Sequence, residues 1–228
     1  MNGVWVGAIL ARERLRGGGV PFVLALSAAV VYALAVLERG TGGSGAADLA
    51  LEGPVFGLAL PLLAYLSSER ACNAQRLDRS LDPVARHGTD RRAALLGLLL
   101  TSALYTAIGS ALLTLAALFG AHSVHDPDLA RDLRSSLGIA LLSGAVYAAY
   151  FGAASLLGKR GGGRKWALIL DFVLGAGSSA LAAPWPRGHT RNLLGGAPVL
   201  DLSQGAAWIA LIVIGVACVA LSVARTPS

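Results

Sequence analysis

Apolar stretches of membrane-crossing length alternate with short polar segments along nearly the whole chain. The runs 20–37, 93–119, 137–157 and 206–224 contain no charged residue, and each reaches or approaches the roughly 20 apolar residues that span a bilayer core. Two further runs, 49–66 and 166–183, carry a single acid each, Glu52 and Asp171. The pattern predicts six transmembrane helices. The third, at 27 residues, is long enough to tilt, and Pro54 and Pro61 predict a kink in the second.

The polar segments predict how those helices are arranged. Between the second and third spans, 67–92 holds six arginines (Arg70, Arg76, Arg79, Arg86, Arg91, Arg92) and four acids (Glu69, Asp78, Asp82, Asp90). Asp82-Pro83 starts a short helix over 81–87, with Asp82 as the expected cap and Pro83 losing no hydrogen bond in the first turn. Gly88 stops it, and Thr89-Asp90 caps the next span. A second basic turn surrounds Gly161-Gly162-Gly163 with Lys159, Arg160, Arg164 and Lys165. The remaining connections, a glycine-serine linker over 38–52 and the acidic stretch 122–136, read as outer loops. Fourteen of the nineteen basic residues then fall on one side, which places both termini in the cytoplasm.

Ahead of the first span, Val4, Trp5, Ala8 and Ile9 precede Arg12, Glu13, Arg14 and Arg16. This pattern fits an interfacial helix with Trp5 at headgroup depth, and equally an ordinary positive flank of the first span. The charges follow the apolar stretch, so a signal peptide is not expected.

Composition narrows the class. Hydrophobic residues make up 55% and charged residues 14%, with a mean hydropathy of +0.63, against about 25% charged in soluble domains. This is the profile of an all-α integral membrane protein. The net charge of +6 lacks the interleaved aromatics of a nucleic-acid surface, so it reads as topological. Cys72 and Cys218 imply neither a disulfide framework nor a metal cluster.

Candidate chemistry is sparse. Gly158-Lys159-Arg160 lacks the glycine spacing and the following Ser or Thr of a phosphate-binding loop, so no nucleotide-binding domain is expected. His122-x-x-His125-Asp126 has ligand-like spacing but no further ligands nearby. Asp171 sits five residues past Trp166, where Lys165 or Arg164 is expected to neutralise it. No nucleophile elbow occurs.

The segment 184–204 is unusual for an outer loop. Pro184-Trp185-Pro186 stops the fifth span and is expected to hold Trp185 at headgroup depth. Leu193, Leu194, Val199, Leu200 and Leu202 are then interrupted by Gly195-Gly196 and Pro198. Such a run predicts short helices dipping into the outer leaflet, with Leu193, Leu194, Pro198 and Leu200 as an outer gate. A loop packed on the outer ends of the spans is the alternative.

Glu69-Arg70 after the second span and the run Leu81-Asp82-Pro83-Val84-Ala85-Arg86 resemble the permease subunit of ABC-2 type transporters. That family often has a Glu-Arg pair followed by a Leu-x-x-Pro-Val-Ser-Arg-like run, and Leu193-Leu194-Gly195-Gly196-Ala197-Pro198 resembles its hydrophobic outer segment. Ala71-Cys72-Asn73 stands where the family has a glycine-rich run. The resemblance implies six spans, an N-terminal interfacial helix, and a cytoplasmic coupling helix formed by Asp82, Pro83, Val84, Ala85, Arg86 and His87 beside Glu69 and Arg70. It further implies an exporter in the bacterial inner (plasma) membrane, working with a second permease copy or paralogue among membrane lipids. A separate ABC ATPase subunit would hold ATP and Mg²⁺, with no cofactor in this chain. A non-transporting scaffold that grips a soluble partner through its basic loop is the alternative. An intramembrane enzyme using Asp171 or the His122-His125-Asp126 cluster ranks last.

Overall fold

Five helices are long and apolar enough to cross a membrane: Val20–Gly40, Ala46–Ala71, Arg91–Ala121, Leu129–Ala154 and Gln204–Arg225. The computed structural model describes residues 2–17, 19–40, 45–122 and 129–227, and every regular element among them is helical. In chain order these are α1 (Gly3–Gly17), α2 (Val20–Gly40), α3 (Ala46–Ala50), a π-helical stretch (Leu51–Ala59), α4 (Leu60–Ala71), α5 (Asp82–Ala85), α6 (Arg91–Ala121), α7 (Leu129–Ala154), α8 (Gly163–Leu174), α9 (Pro186–Leu193) and α10 (Gln204–Arg225), joined in part by short 3-10 turns.

The expected span over 166–183 takes a different form. Its helix, α8, has only 12 residues and is about 18 Å long, too short for a core of about 30 Å. Gly175 ends it where the chain meets the start of α9, so closely that a Cβ at Gly175 would lie 2.9 Å from the Cβ of Arg187. The kink expected in the second span is a change of helix type. Around Pro54, which cannot donate, the turns widen into the nine-residue π stretch Leu51–Ala59 before α4 resumes the α form.

α7 is the central helix and packs along α6 on one side and α10 on the other. Its small residues permit this. A Cβ at Gly144 would lie 2.6 Å from the Thr106 carbonyl oxygen of α6, and one at Gly152 would lie 2.7 Å from the Leu99 side chain. Ser102, Thr106, Ser110 and Thr114 recur at every fourth residue of α6 and are all buried. Thr106 donates to the Gly144 carbonyl at 2.8 Å, tying the two helices where they approach. In contrast, α2 and α10 leave apolar stripes uncovered, such as Phe22, Leu26, Val30, Leu34 and Leu37 on α2. Such patches are large for a protein surface in water and match a lipid-facing one.

α1 lies against α6 through Gly7, Ala11 and Leu15, spaced every fourth residue. Gly97 of α6 has no room for a side chain, because a Cβ there would run into the Val4 carbonyl. The outward stripe of α1 carries Trp5, Ile9, Arg12 and Arg16. On its inner side, Arg14 donates to the Ala71 and Ser80 carbonyls at 2.7 and 3.0 Å, so α1 clasps the 72–90 loop. That clasp encloses Cys72 in an apolar cluster with Leu15, Leu77, Leu81 and Leu95. Burial pushes the Cys72 thiol pKa up.

In a Cys218→Ser background, Cys72 is therefore expected to resist N-ethylmaleimide at pH 8.5, because both access and thiolate fraction are low. Gly97→Leu, which drives α1 off α6 at a cost of about 1–3 kcal/mol, should make the thiol reactive and lower the melting temperature. Labelling kinetics followed by mass spectrometry check both outcomes.

Candidate functional site

A carboxylate surrounded by three helices organises one half of the molecule. Asp171, on the last turn of α8, is fully buried. Its Oδ2 accepts from the Tyr147 hydroxyl of α7 at 2.8 Å, and its Oδ1 accepts from the backbone N–H of Arg187 at 3.2 Å. Pro186 opens α9, and Trp185 before it is extended and offers no local side-chain cap. The free N–H of the first turn of α9 is thus capped from another helix. The expected neutralisation by Arg164 or Lys165 does not occur. Arg164 is itself buried and donates to the Ser68 carbonyl at 3.2 Å, while the Arg187 guanidinium lies 4.5 Å above the Phe172 ring.

α9 is polar yet largely buried, and several of its side chains find specific partners. Thr190 meets Ser143 of α7 at 3.2 Å, His189 meets the Ala183 carbonyl at 2.8 Å, and Asn192 donates to the Leu202 carbonyl at 2.8 Å. Arg191 donates to the carbonyls of Ala176, Gly177 and Ala197, stitching the connections on either side of α9 together. Trp185, expected at headgroup depth, is half-buried. Its ring packs edge-on to Tyr150 at 6.3 Å and lines a cavity with Leu170 and Cys218.

The expected outer-gate residues divide. Leu193 is buried and Leu194 half-buried against the main core, while Pro198 precedes a 3-10 turn over Val199–Asp201. Leu200 points away from the protein, 52% exposed, with its N–H bonded to the Ser178 carbonyl at 2.9 Å. Val199, its neighbour, is the buried member of that pair. The residues missed from sequence are Tyr147, Arg187, Thr190, Arg191 and Asn192. The signal available was Pro186-Arg187-Gly188-His189-Thr190-Arg191-Asn192, a polar run after a proline in an otherwise apolar region.

At the other end of the bundle lies the second expected site. α5 is one turn long, preceded by a 3-10 turn over Arg79–Leu81, and Gly88 ends the segment with φ +77°. Asp82 does not cap it. Its carboxylate pairs instead with Arg91, the first residue of α6, at 3.0 Å, because Leu81 is already helical at the cap position. The expected cap on α6 does form, with Asp90 accepting from the Arg92 N–H at 3.0 Å. Pro83, Arg86 and His87 are exposed, Val84 and Ala85 half-buried. Beside them a cleft of about 520 Å³ is lined by Gly3 and Val6 of α1 and by Val84, His87 and Thr89. Glu69 is half-buried and Arg70 exposed at the end of α4.

Of the histidine cluster, His125 and Asp126 lie outside the described residues, and His122 pairs with Asp132 at 3.1 Å. No group of three potential metal ligands occurs among the described residues. No family model matches the chain, and no match is found among curated proteins or solved structures.

The Asp171 arrangement predicts a graded response. Asp171→Leu leaves the Tyr147 hydroxyl and the Arg187 N–H without an acceptor and should destabilise by about 2–3 kcal/mol. Asp171→Asn, which keeps one acceptor and packs alike, should cost clearly less. Thermal unfolding of the purified protein in detergent orders the two.

Proposed function

We propose that the chain is the membrane-spanning subunit of an ATP-driven exporter of the ABC-2 permease type. The observation that carries this reading is the ion pair between Asp82 and Arg91. It braces the exposed helix α5 directly on the first residue of α6, a helix of 31 residues. A load applied to Pro83, Arg86 and His87 is passed to α6, and through the close α6–α7 contact to the helices that hold α9. That is the geometry a coupling helix needs for rigid-body movement driven by a partner.

In this reading a separate ATPase, with its own ATP and Mg²⁺, seats against α5 and the cleft it shares with α1. A second copy or paralogue of the chain completes the translocation path. Six crossings are made by five long helices and by α8 and α9 acting as two halves of one, the broken-helix form that lipid tolerates where backbone is buried in protein. α1 is the interfacial helix and α9 with the 194–202 segment is the outer gate. The basic end faces the cytoplasm of a bacterial inner membrane, following the arginine bias. A scaffold that merely grips a soluble partner would use the same basic end, but it has no need of the buried polar α9.

Two experiments test the proposal. Co-purified with a cognate ATPase, the complex should lose most of its ATP turnover when Val84-Ala85-Arg86 is replaced by Gly-Ser-Gly; stable complexes with unchanged turnover would favour the scaffold. In a Cys-free background and intact cells, an impermeant maleimide should label Ala197→Cys at once and His87→Cys only after permeabilisation. The reverse order would overturn the orientation.

A further inference from the structure

A cavity of about 330 Å³ opens between the π-helical stretch and the α8–α9 junction, lined among others by Leu49, Glu52, Phe56, Arg187, Arg191 and Leu194. Its size falls within the roughly 300–1,000 Å³ of small-molecule sites. Two guanidinium groups stand on its wall. Neither has a carboxylate within ion-pair distance among the described residues. Asp171, the buried acid near Arg187, lies beyond ion-pair distance but close enough for the two charges to interact, and it accepts from Tyr147 and from a backbone N–H.

The donors of these arginines are not all used. Arg187 Nη1 and Arg191 Nε have no protein acceptor among the described residues, and both side chains are half-buried. Arg191 is fixed by its carbonyl contacts and Arg187 by the Phe172 ring, so both are held in place before any ligand arrives. Glu52, exposed at the cavity mouth, is the one acid of the lining. Leu49, Phe56 and Leu194 supply an apolar wall beside the charges.

We infer that this cavity is a binding site for a phosphate monoester, its oxygens taken by Arg187 and Arg191 and its apolar substituent by Leu49, Phe56 and Leu194. Guanidinium groups bind phosphate through forked, charge-assisted bonds, and the low-dielectric surroundings strengthen them. Inorganic phosphate and the headgroup of a phosphatidate share this chemistry; the apolar wall favours the lipid. The site stands apart from the transport reading, since binding can be measured on the isolated chain.

The test is a titration of the purified protein in detergent with dihexanoyl phosphatidate, dihexanoylglycerol and inorganic phosphate, read by tryptophan fluorescence and by native mass spectrometry. Phosphatidate should bind, and the uncharged diacylglycerol at least tenfold more weakly. Arg187→Gln should weaken phosphatidate at least tenfold. Gly53→Leu, where a Cβ meets open space, fills the cavity and should do the same without touching either arginine. Glu52→Gln should tighten binding severalfold, an effect that damage to the fold cannot imitate. Inorganic phosphate binding as tightly as phosphatidate, with the same variant pattern, upholds the site and assigns it to the free ion. Absence of binding by both phosphates, equal affinity for the diacylglycerol, or affinities unmoved by Arg187→Gln and Gly53→Leu overturns it.

Discussion

The Asp171 carboxylate must be satisfied inside the bundle, and the way it is satisfied decides the shape of half the chain. Tyr147 supplies a hydroxyl from α7 and α9 supplies a backbone N–H, so α8 stops and α9 begins at the same point. A continuous helix through 166–183 would leave the acid without the second partner and would carry the α9 segment out of the core. Because an unpaired buried group costs about 1–3 kcal/mol or more when charged, the broken arrangement is held by polar matching as well as by apolar packing. The positive end of α9's dipole also faces the acid, which adds to the same preference.

The opposite end is fixed by different means. There, glycines let α1 lie on α6, and Arg14 ties α1 to the loop that carries α5. α6 joins the two ends, starting at the Asp82–Arg91 pair and passing Thr106, which bonds across to α7 at Gly144. The molecule thus has α6 and α7 tied together in its middle, the exposed α5 near one end and the buried polar α9 near the other. This is the physical basis of the transport proposal.

Much of this was legible in the chain. The uncharged runs locate four of the long helices, and Asp90 as a cap and Gly88 as a stop were readable because both act on neighbours within a few residues. α7 begins at Leu129 rather than near 137, because Leu129 and Leu133 pack against the core although charged residues surround them. The short α8 was not legible: a hydropathy sum over 166–183 weighs residue types, while the break depends on Gly175 approaching Arg187 and on Asp171 finding Tyr147, 24 residues away. Asp82 misled for a similar reason, since its partner is Arg91 and not its own helix. The gate leucines were read by hydrophobicity alone, which cannot say that Leu193 turns inward and Leu200 outward.

The transport proposal requires movement at α5 to reach α9. The most direct measurement is the distance between spin labels at Leu37, on the exposed face of α2, and Ala197, just after α9, in a complex with the proposed ATPase. Trapping the ATPase with ATP should shift this distance, and replacing Val84-Ala85-Arg86 with Gly-Ser-Gly should abolish the shift. A distance that stays the same with and without trapped ATP, in a complex that still hydrolyses ATP, would contradict the proposal.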